Sequence, residues 1–222
     1  MSSTAENGWA LIIPVKPAAI GKSRLSVPSV DRVTLARAIA LDTIAAATAC
    51  ARVAQVYVVT DDGALVALAF DIPGLRFVPE GDARGIDAAV ALGADAAGER
   101  MARAALLGDL PALRPGDLDA VLAAASARER GVVADAEGTG TTLVTAAAGI
   151  PLLTAFGDGS FARHVDLGCV PLEIDAASSL RRDVDTPDQL DAAAALGLGP
   201  RTAAVLAAPR ERTPRESTQS SR

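Results

Sequence analysis

The chain reads as an α/β protein: one domain with a mainly parallel sheet, helices on both faces and an antiparallel hairpin excursion. Three observations predict this. Short runs rich in branched apolar residues alternate with longer alanine-rich segments of helical spacing, and the alternation continues through four strands. The pattern then breaks at two strands separated by the turn Glu137-Gly138-Thr139-Gly140. Repeated strand–helix–strand units build a parallel sheet because each right-handed crossover lays its helix on a face. Two strands joined by a tight glycine-bearing turn pair antiparallel instead.

Trp9 to Val15 is a compact apolar run, short enough for a buried strand, that ends in Pro14-Val15-Lys16-Pro17. After a long loop, Val33, Leu35, Ala36, Ile39, Ala40, Thr43 and Ile44 recur at helical spacing, which predicts a helix from Asp31, its N-cap, to Arg52. Gln55 to Thr60 is the second strand, and Asp61-Asp62-Gly63 caps a short helix reaching Phe70. Leu75 to Val78 predicts a third strand, Ile86 to Arg100 a helix, and Arg103 to Leu107 a fourth strand running into Gly108-Asp109-Leu110-Pro111. Asp117 to Arg128 is helical, and Gly131 to Ala134 with Thr141 to Ala146 form the hairpin. Phe161 to Leu167 predicts a short helix, Val170 to Ile174 a strand, Thr186 to Leu196 a helix with Pro187 in its first turn, and Thr202 to Ala207 a closing helix. Residues 9–208 are thus expected to form one domain behind a flexible N-terminus, 1–8. Residues 209–222, rich in Arg, Glu, Ser, Thr and Pro, offer no apolar face to offset ordering entropy and read as a disordered tail.

Composition narrows the function. Among 222 residues the net charge is −6, with no basic stripe outside the last few residues, which argues against a nucleic-acid binder and for small-molecule work. No apolar run approaches the ~18 residues of a membrane span, and Met1 to Gly8 lacks the character of a signal peptide, so the expectation is a cytoplasmic protein without membrane contact. Cys50 and Cys169 lie far apart without a CxxC partner and read as reduced, buried thiols. Only two of the 21 basic side chains are lysines, Lys16 and Lys22, and both fall in one loop.

Ligands of open α/β sheets sit beyond the carboxyl ends of the strands, which directs attention to the loops there. The first loop carries Lys16, Lys22 and Arg24 within nine residues, beside Ser23 and a glycine, a set suited to holding a triphosphate. It is not a P-loop, because the first glycine of that motif is missing. Asp109 ends an apolar strand, where magnesium could be held against phosphate oxygens. Asp183 and Asp185, one residue apart, point the same way in an extended segment, although Asp185 serves equally as a helix cap. Gly85 and Asp87 open a helix that could meet a base or ribose; alternatively Asp87 is a first-turn acid favoured by the helix dipole. Thr142 in the excursion, with Gly157 and Ser160 beyond it, is material for a second anion and equally for turns. His164, the only histidine, reads as structural or exposed rather than catalytic.

The ordered series P-V-K-P-x-x-x-G-K-S-R-L, V-V-T-D-D, G-I-D-A-A, G-D-L-P, G-T-G-T-T, F-G-x-G-S-F and D-V-D-T-P-x-Q-L resembles the phospholactate/phosphoenolpyruvate guanylyltransferases of deazaflavin coenzyme (factor 420) biosynthesis, across roughly residues 9 to 197. The resemblance implies a glycosyltransferase-A-like nucleotidyltransferase fold that uses GTP and Mg2+ to join GMP to a three-carbon phospho-acid. By motif, it places Lys16, Lys22, Ser23 and Arg24 on the GTP phosphates and Gly85 and Asp87 near the nucleoside. It makes Lys22, Arg24 and Asp109 catalytic, gives Asp109, Asp183 and Asp185 to the metal, and gives Thr142, Gly157 and Ser160 to phosphoenolpyruvate. Family members often carry Asn at the position of Asp87, and an acid there accepts but cannot donate a hydrogen bond.

The leading expectation is guanylyl transfer to phosphoenolpyruvate, with 2-phospho-L-lactate the alternative acceptor. The next pathway enzyme is a possible partner, and a homodimer through the hairpin is a further expectation. A sugar-phosphate or molybdopterin nucleotidyltransferase would carry L-x-A-G-x-x-x-R-M in place of K-P-A-A-I-G-K-S-R-L. A non-catalytic nucleotide-binding regulator follows if the carboxylates are only caps.

Overall fold

The computed structural model describes residues 8–19, 22 and 24–208. The elements run β1 (Trp9–Pro14), α1 (Arg32–Thr48), β2 (Val53–Val59), α2 (Gly63–Leu68), β3 (Leu75–Val78), α3 (Ile86–Ala97), β4 (Ala102–Leu106), α4 (Pro115–Ala125), β5 (Arg130–Ala134), β6 (Thr141–Ala146), α5 (Ser160–Asp166), β7 (Val170–Pro171), α6 (Pro187–Leu196) and α7 (Pro200–Ala207), with a 3-10 turn at Ser179–Arg181. The seven strands form one sheet in the order β3-β2-β1-β4-β6-β5-β7. β1 pairs parallel with β2 and β4, and β2 with β3, whereas β6 is antiparallel to both β4 and β5. The expected alternation and the expected hairpin are both present.

The pleat of β1 divides the core. Trp9, Leu11 and Ile13 point to the face covered by α1, α2 and α4, where Leu41, Ile44, Leu65, Leu118 and Leu122 pack; Ala10 and Ile12 meet Ala89 and Val90 of α3 on the other face. Both faces of β1 are buried, which is why its sequence is continuously apolar rather than alternating. A third cluster joins Leu35 and Ile39 of α1 to Val184, Leu190 and Ala193, seating α6 and α7 beside α1.

Several boundaries differ from the sequence reading: α1 ends at Thr48 rather than Arg52, α3 at Ala97 rather than Arg100 and α4 at Ala125 rather than Arg128. The expected strand 170–174 pairs as a ladder only over Val170–Pro171, because Pro171 has no N–H to donate. α4 begins at Pro115, and Asp117 takes hydrogen bonds from Ser179 N–H and Oγ instead of starting the helix. Gly8, expected in the flexible N-terminus, is buried so close to Ala54 that an added Cβ would meet Ala54 Cβ at 2.5 Å. The rest of that segment, residues 1–7, and the expected tail 209–222 lie outside the described residues. Cys50 and Cys169 are buried and unpaired, as expected. Among the described residues no helix is long and apolar enough to cross a membrane.

Candidate active site

β1 sends the chain first to β2 and β3 on one side and later receives β4 on the other, so the sheet switches direction between β1 and β4. Such a switch point parts the loops leaving the two strands and opens a crevice. Gly108 makes the approach possible: a Cβ there would meet Val15 Cγ2 at 2.9 Å and the Pro14 carbonyl at 3.2 Å. A cavity of about 330 Å³ opens at this place, within the range of small-molecule sites. Lys16, Lys22, Gly85, Asp109 and Asp185 all line it, so five of the expected residues meet around one space.

Lys22 holds the centre. Its Nζ donates to Asp109 Oδ2 at 2.5 Å and to Asp185 Oδ1 at 2.8 Å, while Arg24 reaches Asp185 Oδ2 at 3.2 Å. Burial pulls the ammonium's pKa down, but the two carboxylates outweigh it and hold Lys22 above its ordinary value. Asp185 is lowered in turn: burial opposes ionisation, and the charges of Lys22 and Arg24 overcome it. Lys22 has φ 56°, a left-handed conformation that a side chain with a Cβ seldom adopts, so the loop bends to deliver this ammonium. Asp185 is not the helix cap; Thr186 caps α6, in a capping box with Gln189, and this leaves Asp185 free for Lys22. Ser23 lies outside the described residues.

Asp183 faces a different set. Its carboxylate groups with those of Asp135 and Glu137, one oxygen of each lying within 4.8 Å of the others. Burial, with the charges of Asp109 and Asp135, pushes its pKa up to about 7. Oδ1 of Asp183 and Oδ1 of Asp109 are both buried without a hydrogen-bond partner among the described residues. Crowded, underbonded carboxylate oxygens fit a hard divalent cation. Asp135 ends β5, with its carboxylate taking Thr139 and Gly140 N–H, and Arg181 holds its carbonyl at 2.7 Å. Both Asp135 and Glu137 stand in what the sequence presents as turn material, so only pairing of β5 with β6 reveals them.

The V-V-T-D-D segment is the scaffold. Asp62 caps α2, accepts Ala18 N–H at 3.1 Å and pairs with Arg37 through Nε at 3.0 Å and Nη2 at 3.0 Å. It thereby ties the cationic loop to α1 and α2. Burial works against its ionisation, but Arg37 and the backbone donors keep its pKa low. Asp61 accepts Glu80 and Gly81 N–H at 2.9 and 3.0 Å, fixing the chain as it leaves β3.

Of the remaining expected residues, Asp87, Thr142, Gly157 and Ser160 do not line this cavity. Thr142 is fully buried on β6, its carbonyl accepting Leu107 N–H two residues before Asp109, and its hydroxyl has no partner among the described residues. Ser160 N–H donates to the Gly157 carbonyl, and Phe161 N–H to Thr139, so the start of α5 is pinned to the hairpin turn. Asp87 does not line the cavity: its Oδ1 accepts Phe156 N–H at 2.9 Å, tying α3 to the loop before α5. His164 is buried, accepts Ala155 N–H on Nε2 at 2.9 Å and lies 3.1 Å from Thr141 Oγ1 through Nδ1, the structural role expected of it.

A switch-point cavity walled by a lysine-bearing loop on one side and strand-end carboxylates on the other is the site of a nucleotidyltransferase. The chain belongs to the family described as guanylyl transferase CofC like, which it matches over residues 9–193. It is 49% identical over 210 residues to a phosphoenolpyruvate guanylyltransferase of Thermomonospora curvata, covering 93% of this chain and 92% of that protein. It is 50% identical over 208 residues to one of Streptomyces scabiei, covering 90% and 96%. Among solved structures, a 4-diphosphocytidyl-2C-methyl-D-erythritol synthase of Anaerococcus prevotii aligns at TM-score 0.57 and 13% identity over 88% of this chain and 99% of that one. Rv0371C of Mycobacterium tuberculosis in complex with manganese aligns at TM-score 0.53 and 21% identity over 84% and 97%. These two likenesses establish the glycosyltransferase-A-like nucleotidyltransferase fold.

Proposed function

We propose that this enzyme transfers the GMP moiety of GTP to phosphoenolpyruvate, forming enolpyruvyl-diphospho-5'-guanosine and releasing pyrophosphate, as a cytoplasmic step in deazaflavin coenzyme biosynthesis. The observation that carries the reading is Lys22 joined to Asp109 and Asp185 in the lining of the cavity, in a chain about half identical to proteins named for this activity. Lys16, Lys22, Ser23 and Arg24 take the GTP phosphates. Asp109, Asp183 and Asp185 hold Mg2+, with Asp135 and Glu137 beside Asp183. Thr142, Gly157 and Ser160 seat the acceptor. The bound cation supplies positive charge to phosphate oxygens as negative charge builds on the leaving pyrophosphate.

The acceptor phosphate is already an anion at neutral pH, so its oxygen attacks the α-phosphorus in line as the bond to the α,β-bridging oxygen breaks. No general base is required, and catalysis rests on positioning and charge neutralisation. The absence of His164 from the cavity lining is consistent with this.

The test is acid-dependent pyrophosphate release from GTP and Mg2+, with phosphoenolpyruvate and 2-phospho-L-lactate compared, alone and with the enzyme that consumes the product. Phosphoenolpyruvate is expected to be the better acceptor; no release with either acid, even with the consuming enzyme, overturns the proposal. Asp109→Asn is expected to lower turnover by at least about 100-fold while GTP still binds.

A further inference from the structure

The two ends of the cavity carry different groups. At the β4 exit stand Lys22, Asp109 and Asp185; at the β3 exit stand Glu80, Gly85, Ile86 and Ala89. Three strand spacings separate β3 from β4, roughly 14 Å, comparable to the reach of a nucleotide from base edge to phosphates. Phosphates belong at the lysine end, so the base falls at the other.

Sequence alone offered Asp87 as the polar group near the nucleoside, but its Oδ1 is committed to Phe156 N–H. Glu80 is not so committed. Among the described residues its carboxylate has no hydrogen-bond or ion-pair partner, and the nearby Arg84 turns to the carbonyls of Gly81 and Ala83 and to Asp82. Its backbone, by contrast, is fixed, because Asp61 accepts both Glu80 and Gly81 N–H. The cavity is therefore lined by a residue with a free carboxylate on an anchored stretch of chain, together with Ile86 and Ala89.

We infer that Glu80 reads the base, its two carboxylate oxygens accepting the N1–H and 2-amino hydrogens of guanine. This assignment rests on the guanylyl reading above. Guanine presents those two donors side by side, matching a carboxylate that can only accept. Adenine presents the N1 lone pair there and is repelled. Hypoxanthine keeps N1–H but lacks the 2-amino group, and xanthine places an oxygen opposite the carboxylate.

The experiment measures dissociation constants of GTP, ITP, XTP and ATP with Mg2+ for the full chain, for Glu80→Ala and for Glu80→Gln. The wild type is expected to prefer GTP over ITP by about tenfold or more, the worth of one hydrogen bond to a charged acceptor. Glu80→Ala should bring that ratio to about one. Glu80→Gln, whose amide donates as well as accepts, should favour XTP over GTP. A selective wild type whose selectivity survives in Glu80→Ala overturns the Glu80 assignment alone. A wild type that binds GTP no more tightly than ATP overturns the guanylyl reading and the assignment with it.

Discussion

Lys22 Nζ lies 2.5 Å from Asp109 Oδ2 and 2.8 Å from Asp185 Oδ1, so one ammonium from the loop after β1 joins the exit of β4 to the segment before α6. The same two carboxylates are the ones assigned to the cation. An ammonium and a divalent ion cannot occupy one pair of oxygens at full strength, so a cation bound as proposed would compete with Lys22 when no nucleotide is present.

Lys22→Met separates the two roles. Without nucleotide the variant is expected to bind Mn2+ at least about tenfold more tightly than the wild type, because the competing charge is gone. Its turnover should fall by about 100-fold or more, the usual cost of removing a group that meets charge developing in the transition state. Mn2+ titration by electron paramagnetic resonance reads the first effect and pyrophosphate release the second. Unchanged metal affinity removes the competition, and unchanged turnover removes Lys22 from the phosphate site.

Asp62 is nearly inaccessible, with 4% of its side chain exposed, and Arg37 is its only ion-pair partner among the described residues. Asp62→Ala removes a helix cap, the anchor of Ala18 and the counter-charge of a part-buried guanidinium together, and is expected to cost about 3 kcal/mol. Arg37→Ala should cost less, about 1 to 2 kcal/mol, because Ala18, Ala64 and Leu65 N–H still solvate the carboxylate. Urea unfolding of both variants checks the order, and equal costs would place the stability in the ion pair alone.

The strands and their order of alternation were legible because burial on both faces writes itself as unbroken apolar runs, as in β1 and β2. So were the caps Asp31 and Asp62, whose side chains have local targets three residues away or fewer. Long-range pairing was not. Arg37 meets Asp62 across 25 positions and Lys22 meets Asp185 across 163, and no periodicity encodes either. Glu137 reads as a turn residue because it is one, and Asp135 stands between the strand and that turn; their second property comes from Asp183 arriving beside them. For Asp87 the sequence left open a nucleoside contact or a first-turn acid, and only the fold brings Phe156 N–H onto its Oδ1.

His164 makes a pH prediction whose sign can be worked out. Burial lowers its pKa below 6.5, and its Nε2 must remain unprotonated to accept Ala155 N–H. Its contribution is therefore complete above about pH 6.5 and is lost as pH falls from there toward the lowered folded value. Asp183 works in the opposite direction, because a carboxyl raised to about 7 adds stability as pH falls from about 7 toward 3.8. The measurement is thus a difference: urea midpoints of wild type and His164→Asn at pH 7.5 and 5.5, without metal. The gap between the two proteins is expected to narrow at pH 5.5; a constant gap would mean that His164 does not titrate in this window.

Thr142 yields a prediction in which stability and function move in opposite directions. Its hydroxyl is fully buried and unpartnered, a condition that costs about 1 to 3 kcal/mol and that a folded chain tolerates best when a ligand supplies the partner. Valine keeps the shape and removes the orphaned oxygen. Thr142→Val without ligand is therefore expected to be as stable as the wild type or more so, in contrast to most changes at a fully buried position. If the hydroxyl binds the acceptor, the same substitution should raise the KM for phosphoenolpyruvate by about tenfold while the KM for GTP stays constant. Thermal unfolding and steady-state kinetics on one preparation decide the matter. A less stable variant with normal acceptor kinetics would show that the hydroxyl serves the sheet and not the substrate.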